Sequence, residues 1–142
     1  MSTHSISATA RTNAAPRDGL LRGAFKVDAI ASITSGLAYI VANGALSDLF
    51  GLPPAFLLAI GAFSVAYGSY AWYLGSRPRV SPSAGRAIGI GNLGWAAASI
   101  AMVVLGWHDP TTTGSVWIVM QAALVAGFAD AQLLGARRIT AR

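Results

Sequence analysis

The sequence predicts an all-α fold, a four-helix transmembrane bundle running up-down-up-down. Three observations predict it. Four apolar runs stand at Val27 to Leu46, Ala55 to Gly75, Ala87 to Trp107 and Ser115 to Gly135. Each is about the 20 residues that cross a hydrocarbon core of about 30 Å. Charged residues make up 11 % of the 142 residues and hydrophobic ones 54 %, whereas a soluble domain carries about 25 % charge. All ten Lys and Arg fall before the first run, between the second and third, or after the fourth.

The first run follows Met1 to Gly19, rich in Ser, Thr, Ala and Arg and without apolar periodicity. Residues 1–19 read as a disordered cytoplasmic tail. Their basic, hydroxyl-rich composition also resembles a transit peptide, but ordinary tails share it. The basic stretch is too long for a signal peptide, and the run behind it is long enough to span. The second run opens on Pro53-Pro54, which suits the first turn of a helix. Ser47 to Pro54 and His108 to Gly114 read as short turns that force neighbouring helices antiparallel. The middle connection, Ser76 to Arg86, holds Pro78, Pro82 and three Arg. The domain thus covers 20–138, and 139–142 is a short cytoplasmic tail.

Orientation follows from charge. Arg11, Arg17, Arg22 and Lys26, then Arg77, Arg79 and Arg86, then Arg137, Arg138 and Arg142 lie on one side of an even number of spans. The positive-inside rule makes that side cytoplasmic. Trp72, Tyr73, Trp107 and Trp117 sit at span ends, where interfacial rings belong. The expected location is the plasma membrane, multi-pass, with both termini in the cytoplasm. The second and fourth spans share the ending Ala-x-x-Leu-Gly-small-Arg, at Ala71 to Arg77 and Ala131 to Arg137. Duplicated hairpins or convergence at one interface would both give it.

Between helices in lipid, small residues and hydrogen bonds supply the attraction. The helix-packing positions predicted from such stripes are Gly61, Ser64 and Gly68 on the second span and Gly85, Gly89 and Ala96 on the third. On the fourth they are Ala123 and Gly127. Gly89 to Gly94 also matches G-x-G-x-x-G, but lies within an apolar span without a preceding strand. Helix packing explains it better than a nucleotide site.

Asp28 and Asp130 are ionisable groups inside spans, which makes them candidates for function. Asp28 lies near the start of its run, where an ion pair with Lys26 or headgroup water would also account for it. Asp130 lies deeper, with Arg137 on the same face as an alternative partner. With Asn92 on the third span, the two form a candidate polar cluster in the cytoplasmic half, able to hold a proton or a small cation. Asn43, Gln121 and Gln132 read as interhelical or headgroup contacts, and Trp95 as a packed wedge. There is no Cys, and His4 and His108 lie far apart, so no metal site and no cofactor is expected. No nucleophile–base pair is present, so no enzyme is expected. The basic residues flank spans rather than forming a stripe, which argues against nucleic acid.

Several landmarks resemble small four-span integral membrane proteins of actinobacteria and related bacteria. They are Asp28, Asp48 to Pro53, Gly61, Asn92-Leu93-Gly94-Trp95, Gln121 and Ala131-Gln132. The resemblance covers about Leu20 to Arg138 and implies a fold and a location, without an activity. The function expected is a structural or accessory bundle, packing with itself as a homo-oligomer or with a membrane protein partner. The alternative is a small carrier or channel for a proton, a cation or a small apolar molecule.

Overall fold

The computed structural model describes residues 18–141. Most of the predicted tail, 1–17, and Arg142 lie outside the described residues. Five helices follow in order: α1 (Gly19–Val41), α2 (Asn43–Phe50), α3 (Pro54–Ser76), α4 (Pro82–Val104) and α5 (Thr112–Thr140). Four of them, α1, α3, α4 and α5, are long and apolar enough to cross a membrane. The protein is an all-α, multi-pass membrane bundle.

Two elements differ from the sequence reading. Helix α1 begins at Gly19, eight residues before the first apolar run, because Arg22 is neutralised within the fold. Its guanidinium pairs with Asp18 at 2.7 Å and donates to the carbonyls of Gly75 and Arg77 at 2.8 Å each. It thereby caps the carbonyl end of α3. Part of the predicted turn Ser47 to Pro54 belongs to α2, which continues α1 after a break at Ala42. Gly44 has low helix propensity at that break, and the Asn43 amide donates to the carbonyls of Tyr39 and Pro54. Gly51 ends α2 with φ of +67°, a conformation that glycine adopts without a Cβ penalty.

The remaining ends follow common capping chemistry. Pro53 and Pro54 open α3. Ser81 caps α4 through the Ala84 N–H, and Thr111 caps α5 through the Gly114 N–H. Thr111 also donates to Leu49 and Phe50 carbonyls, tying the end of α2 to the start of α5.

The long helices stand in the order α3–α1–α5–α4, each packed antiparallel on the next, while α3 and α4 do not close on each other. Glycines set the closest approaches. A Cβ on Gly61 would lie 2.9 Å from the Gly36 carbonyl oxygen, and one on Gly36 would lie 2.7 Å from that of Gly61. Ser64 lies at the same α1–α3 seam, and Gly68 packs on Ala29 and Ile33. Across α4 and α5, Gly85 meets Ala136, and Gly89 meets Ala129 and Leu133. Ala96 is buried.

Ala123 and Gly127 are corrected: both are exposed, and nothing stands within 4 Å of a Cβ added at Gly127. The buried face of α5 is Ile118, Ala122, Ala129, Gln132, Gly135 and Ala136. The predicted stripe is one residue, or about 100°, out of phase. Gly75 and Gly135, the matching glycines of the repeated ending, both press on α1, at Phe25 and Leu21. The shared ending therefore serves one common partner helix.

Two apolar clusters close the ends of the bundle. Leu21, Phe25, Leu74, Val80 and Ala136 lie at the end that carries the Arg residues. Phe50, Leu52, Leu57, Met102 and Ile118 lie at the other. Among the described residues the buried polar ones are Asp28, Asn92, Ser99 and Gln132, and they occupy the level between. Val27, Ile30, Leu37, Leu58, Ile90 and Leu124 point outward, as a bilayer requires.

Candidate functional site

Asp28 sits nine residues into α1, about 14 Å from its first turn at about 1.5 Å per residue. That is deeper than the sequence suggested, because the helix starts earlier than the apolar run. Tyr67, nine residues before the end of α3, Asn92, ten residues after the start of α4, and Gln132, eight before the end of α5, reach the same level. All four long helices thus contribute one polar side chain to one layer.

The centre of the layer is the Asp28 carboxylate, 1 % exposed. Its Oδ2 accepts from Gln132 Nε2 at 2.7 Å and Asn92 Nδ2 at 2.9 Å, and lies 2.6 Å from the Tyr67 hydroxyl. Its Oδ1 is 3.2 Å from Ser32 Oγ. Asn92 Nδ2 also donates to Gln132 Oε1 at 3.1 Å, and Asn92 Oδ1 lies 3.0 Å from the Tyr67 hydroxyl. Among the described residues no ion pair includes Asp28. Lys26, its expected partner, lies over the Trp72 ring at 5.4 Å. A buried carboxylate held only by neutral donors is uncommon, because burial without a cation is costly.

Asp28 and Asn92, predicted to meet, are hydrogen-bonded. Asp130 is corrected: it is exposed and takes no part in the layer. It lies on the outward face for the same reason as Ala123 and Gly127, the phase of α5. It makes no ion pair with Arg137 among the described residues. Two members were missed. Gln132 is fully buried, and its spacing from Ala129 and Gly135, three residues each way, would have placed it on the inner stripe. Tyr67 stands three residues after Ser64 and next to Gly68, so it borders the predicted α3 face of Gly61, Ser64 and Gly68 without being one of its positions.

Asp28 forms part of the wall of a cavity of about 300 Å³ between α3 and α4, with Ser32, Ser35, Tyr67, Asn92 and Trp95. A second cavity of about 340 Å³ lies toward the α2 end, walled by Phe50, Phe56, Ile60, Met102, Trp107 and Trp117. Tyr39, Trp95 and Gln121 line both. Trp117 Nε1 donates to Tyr39 Oη at 2.7 Å, and Gln121 links Trp95 to Ser99. Trp95 stacks on Phe63 across the cleft, with centroids 5.4 Å apart. Trp95 is therefore a cavity wall as well as a wedge. Of the glycine motif, Gly91 lines the first cavity and Gly94 faces open space, both in mid-helix.

No group of three or more His, Cys, Asp or Glu among the described residues is placed to hold a metal ion. In comparisons with known proteins, no family model, curated protein or solved structure matches the chain.

Proposed function

We propose that this membrane protein is a small carrier for a monovalent cation, a proton or a small organic cation, with Asp28 as the loading group. One observation carries the reading. A carboxylate with no cationic partner among the described residues is buried in the bundle and yet forms part of the wall of a cavity of about 300 Å³. Ionisable groups placed so in a membrane usually mark a pathway, since their burial is expensive without use. The aromatic walls of Trp95, Tyr67 and Phe63 beside it suit a cation, which is attracted to ring faces.

The proposed setting is the plasma membrane, with both termini and the 76–86 connection in the cytoplasm. The one-sided distribution of basic residues supports it. Asp28 then lies in the cytoplasmic half.

The test is calorimetric titration of the purified protein in lipid nanodiscs with benzyltrimethylammonium. Saturable binding is expected in the wild type and in Asp130→Asn, and is lost in Asp28→Asn. Equal binding by Asp28→Asn refutes the assignment. With no binding in any variant, the bundle reverts to a structural or accessory role, packed with itself or with a partner complex.

A further inference from the structure

The two cavities follow one another along the open α3–α4 side, and the wall between them is thin. Tyr39, Trp95 and Gln121 line both. At about 1.5 Å per residue, Trp95 stands about 4.5 Å along α4 from Asn92, and Ala98, in the second cavity, about 9 Å. One indole therefore separates the level of Asp28 from the second cavity. It is lightly held. Its Nε1 is 3.4 Å from Gln121 Oε1, longer than the usual N–H···O distance of about 2.7–3.2 Å. Its ring stacks on Phe63, which is exposed.

The free oxygens decide what kind of cation fits. Asp28 Oδ2 already accepts from Gln132, Asn92 and Tyr67. Oδ1, with Ser32 alone at 3.2 Å, is the carboxyl oxygen left for a guest. The side-chain oxygens of Asn92 and Gln132 are engaged as well. A small metal ion stripped of its water needs about six oxygen ligands, far more than this site offers. An organic ammonium needs no such set, since one oxygen and the faces of aromatic rings hold its diffuse charge. The second cavity extends the same logic. Gln121 and Ser99 are bonded within the wall, Gln121 Nε2 to Ser99 Oγ and Ser99 Oγ to the Trp95 carbonyl. The Tyr39 hydroxyl accepts from Trp117. Most of the remaining wall is apolar or aromatic, with Phe56, Met102, Trp107 and Trp117, a lining suited to an uncharged body. At the outer end His108 crosses to Phe56, with ring centroids 4.9 Å apart.

Resting on the carrier reading, we infer that the two cavities form one binding site, and that the cargo is an organic monocation with an apolar or aromatic body too long for the Asp28 cavity alone. The cationic head lies at Asp28, the chain passes Trp95, and the body fills the second cavity. Trp95 measures the guest: a short cation ends against the indole, and a long one turns it aside.

The experiment compares two cations by calorimetric titration of the protein in lipid nanodiscs, with the signal of empty nanodiscs subtracted. Benzyltrimethylammonium is short and ends at Trp95. (4-Phenylbutyl)trimethylammonium carries its ring three methylenes further. A buried methylene contributes about fourfold in affinity, so the longer cation should bind the wild type at least about tenfold more tightly, a ratio that needs no variant. Ala98→Phe, from α4, and Ile60→Phe, from α3, each place a ring in the second cavity, and both positions line that cavity and not the first. Either variant should lose the gain and bind benzyltrimethylammonium as the wild type does, which also shows that it is folded. A wild type that binds both cations equally, or a folded variant that keeps the full gain, overturns the inference and leaves the carrier reading intact. If neither cation binds the wild type, or Asp28→Asn binds both as the wild type does, the carrier reading falls and the inference with it.

Discussion

Gly68→Ala adds a single methyl group at the α1–α3 seam, and the structure says where it would go. The new Cβ would stand 2.7 Å from Ile33 Cγ1, 2.9 Å from the Ala29 carbonyl oxygen and 3.1 Å from the Ile33 backbone nitrogen. The side-chain contact can be relieved by a rotamer change. The two backbone contacts cannot, so α1 and α3 must separate by a few tenths of an ångström. Separation loosens the seam from Phe25–Gly75 to Gly36–Gly61. Overpacking of this kind costs about 1–3 kcal/mol. Alanine also favours the helix over glycine by about 1 kcal/mol, which partly offsets the loss and must be cancelled by a control. Gly127→Ala is that control, since nothing stands within 4 Å of its added Cβ. Reversible unfolding by sodium dodecyl sulfate in mixed micelles, followed by tryptophan fluorescence, should place Gly68→Ala about 1–3 kcal/mol below Gly127→Ala. Equal stabilities would mean that α1 and α3 are not held at glycine contact distance. A Gly127→Ala that is the less stable of the two would restore the rejected face of α5.

Gly51→Ala should cost about 1–2 kcal/mol in the same assay, because φ is +67° and the added Cβ would stand 2.9 Å from the Thr111 nitrogen. Arg22→Ala should lose about 1–2 kcal/mol as the carbonyl end of α3 is uncapped, and Arg22→Lys should recover only part, since a point donor cannot reach two carbonyls as a guanidinium fork does; full recovery by Lys would reduce the site to charge alone. Asp28→Leu should lose about 2–4 kcal/mol by stranding the Asn92 and Gln132 donors, whereas Asp28→Asn keeps an acceptor and should stay folded; equal stabilities for the two would show that the acceptor does not hold the layer. Ser81→Cys should be labelled by an impermeant maleimide only after the cells are opened, and labelling of intact cells would reverse the orientation.

The spans were legible in the sequence because hydropathy and length are read directly along a chain. The positions of their ends were less so. Arg22 looks like the edge of a membrane, yet four partners in the fold, Asp18 and the carbonyls of Gly75, Arg77 and Pro78, let helix α1 begin before it. Helix α2 has only eight residues, too few for a periodicity to stand out from a turn rich in Gly and Pro. The inner faces of α3 and α4 were recovered because glycine at Gly61, Gly68, Gly85 and Gly89 permits approaches that no other residue does. The fourth span offered two stripes of small residues one position apart. Lipid accepts Ala and Gly on the outside as readily as a neighbouring helix accepts them inside, so smallness did not choose between the stripes. The polar residues would have chosen: Gln132 and Asp130 cannot both face inward, and Gln132 shares its face with Gly135 and Ala129. Weight given to charge over hydrogen-bonding capacity led to Asp130.

The open side of the bundle follows from where the close contacts are placed. The glycine and alanine contacts lie on α1–α3, α4–α5 and α1–α5, so three of the four sides are held backbone to backbone. The α3–α4 side has no such contacts. It is bridged by side chains alone: Tyr67 to Asn92 at 3.0 Å, and Phe63 stacked on Trp95. Side chains can turn away at the cost of a rotamer, whereas packed helix backbones must move as rods. A guest between α3 and α4 therefore displaces rings and one hydrogen bond and leaves the three packed sides intact. The same Tyr67 hydroxyl donates to Asn92 Oδ1 and to Asp28 Oδ2. The carboxyl that would load the cation is thus bonded to the tyrosine whose hydrogen bridges the one unpacked side.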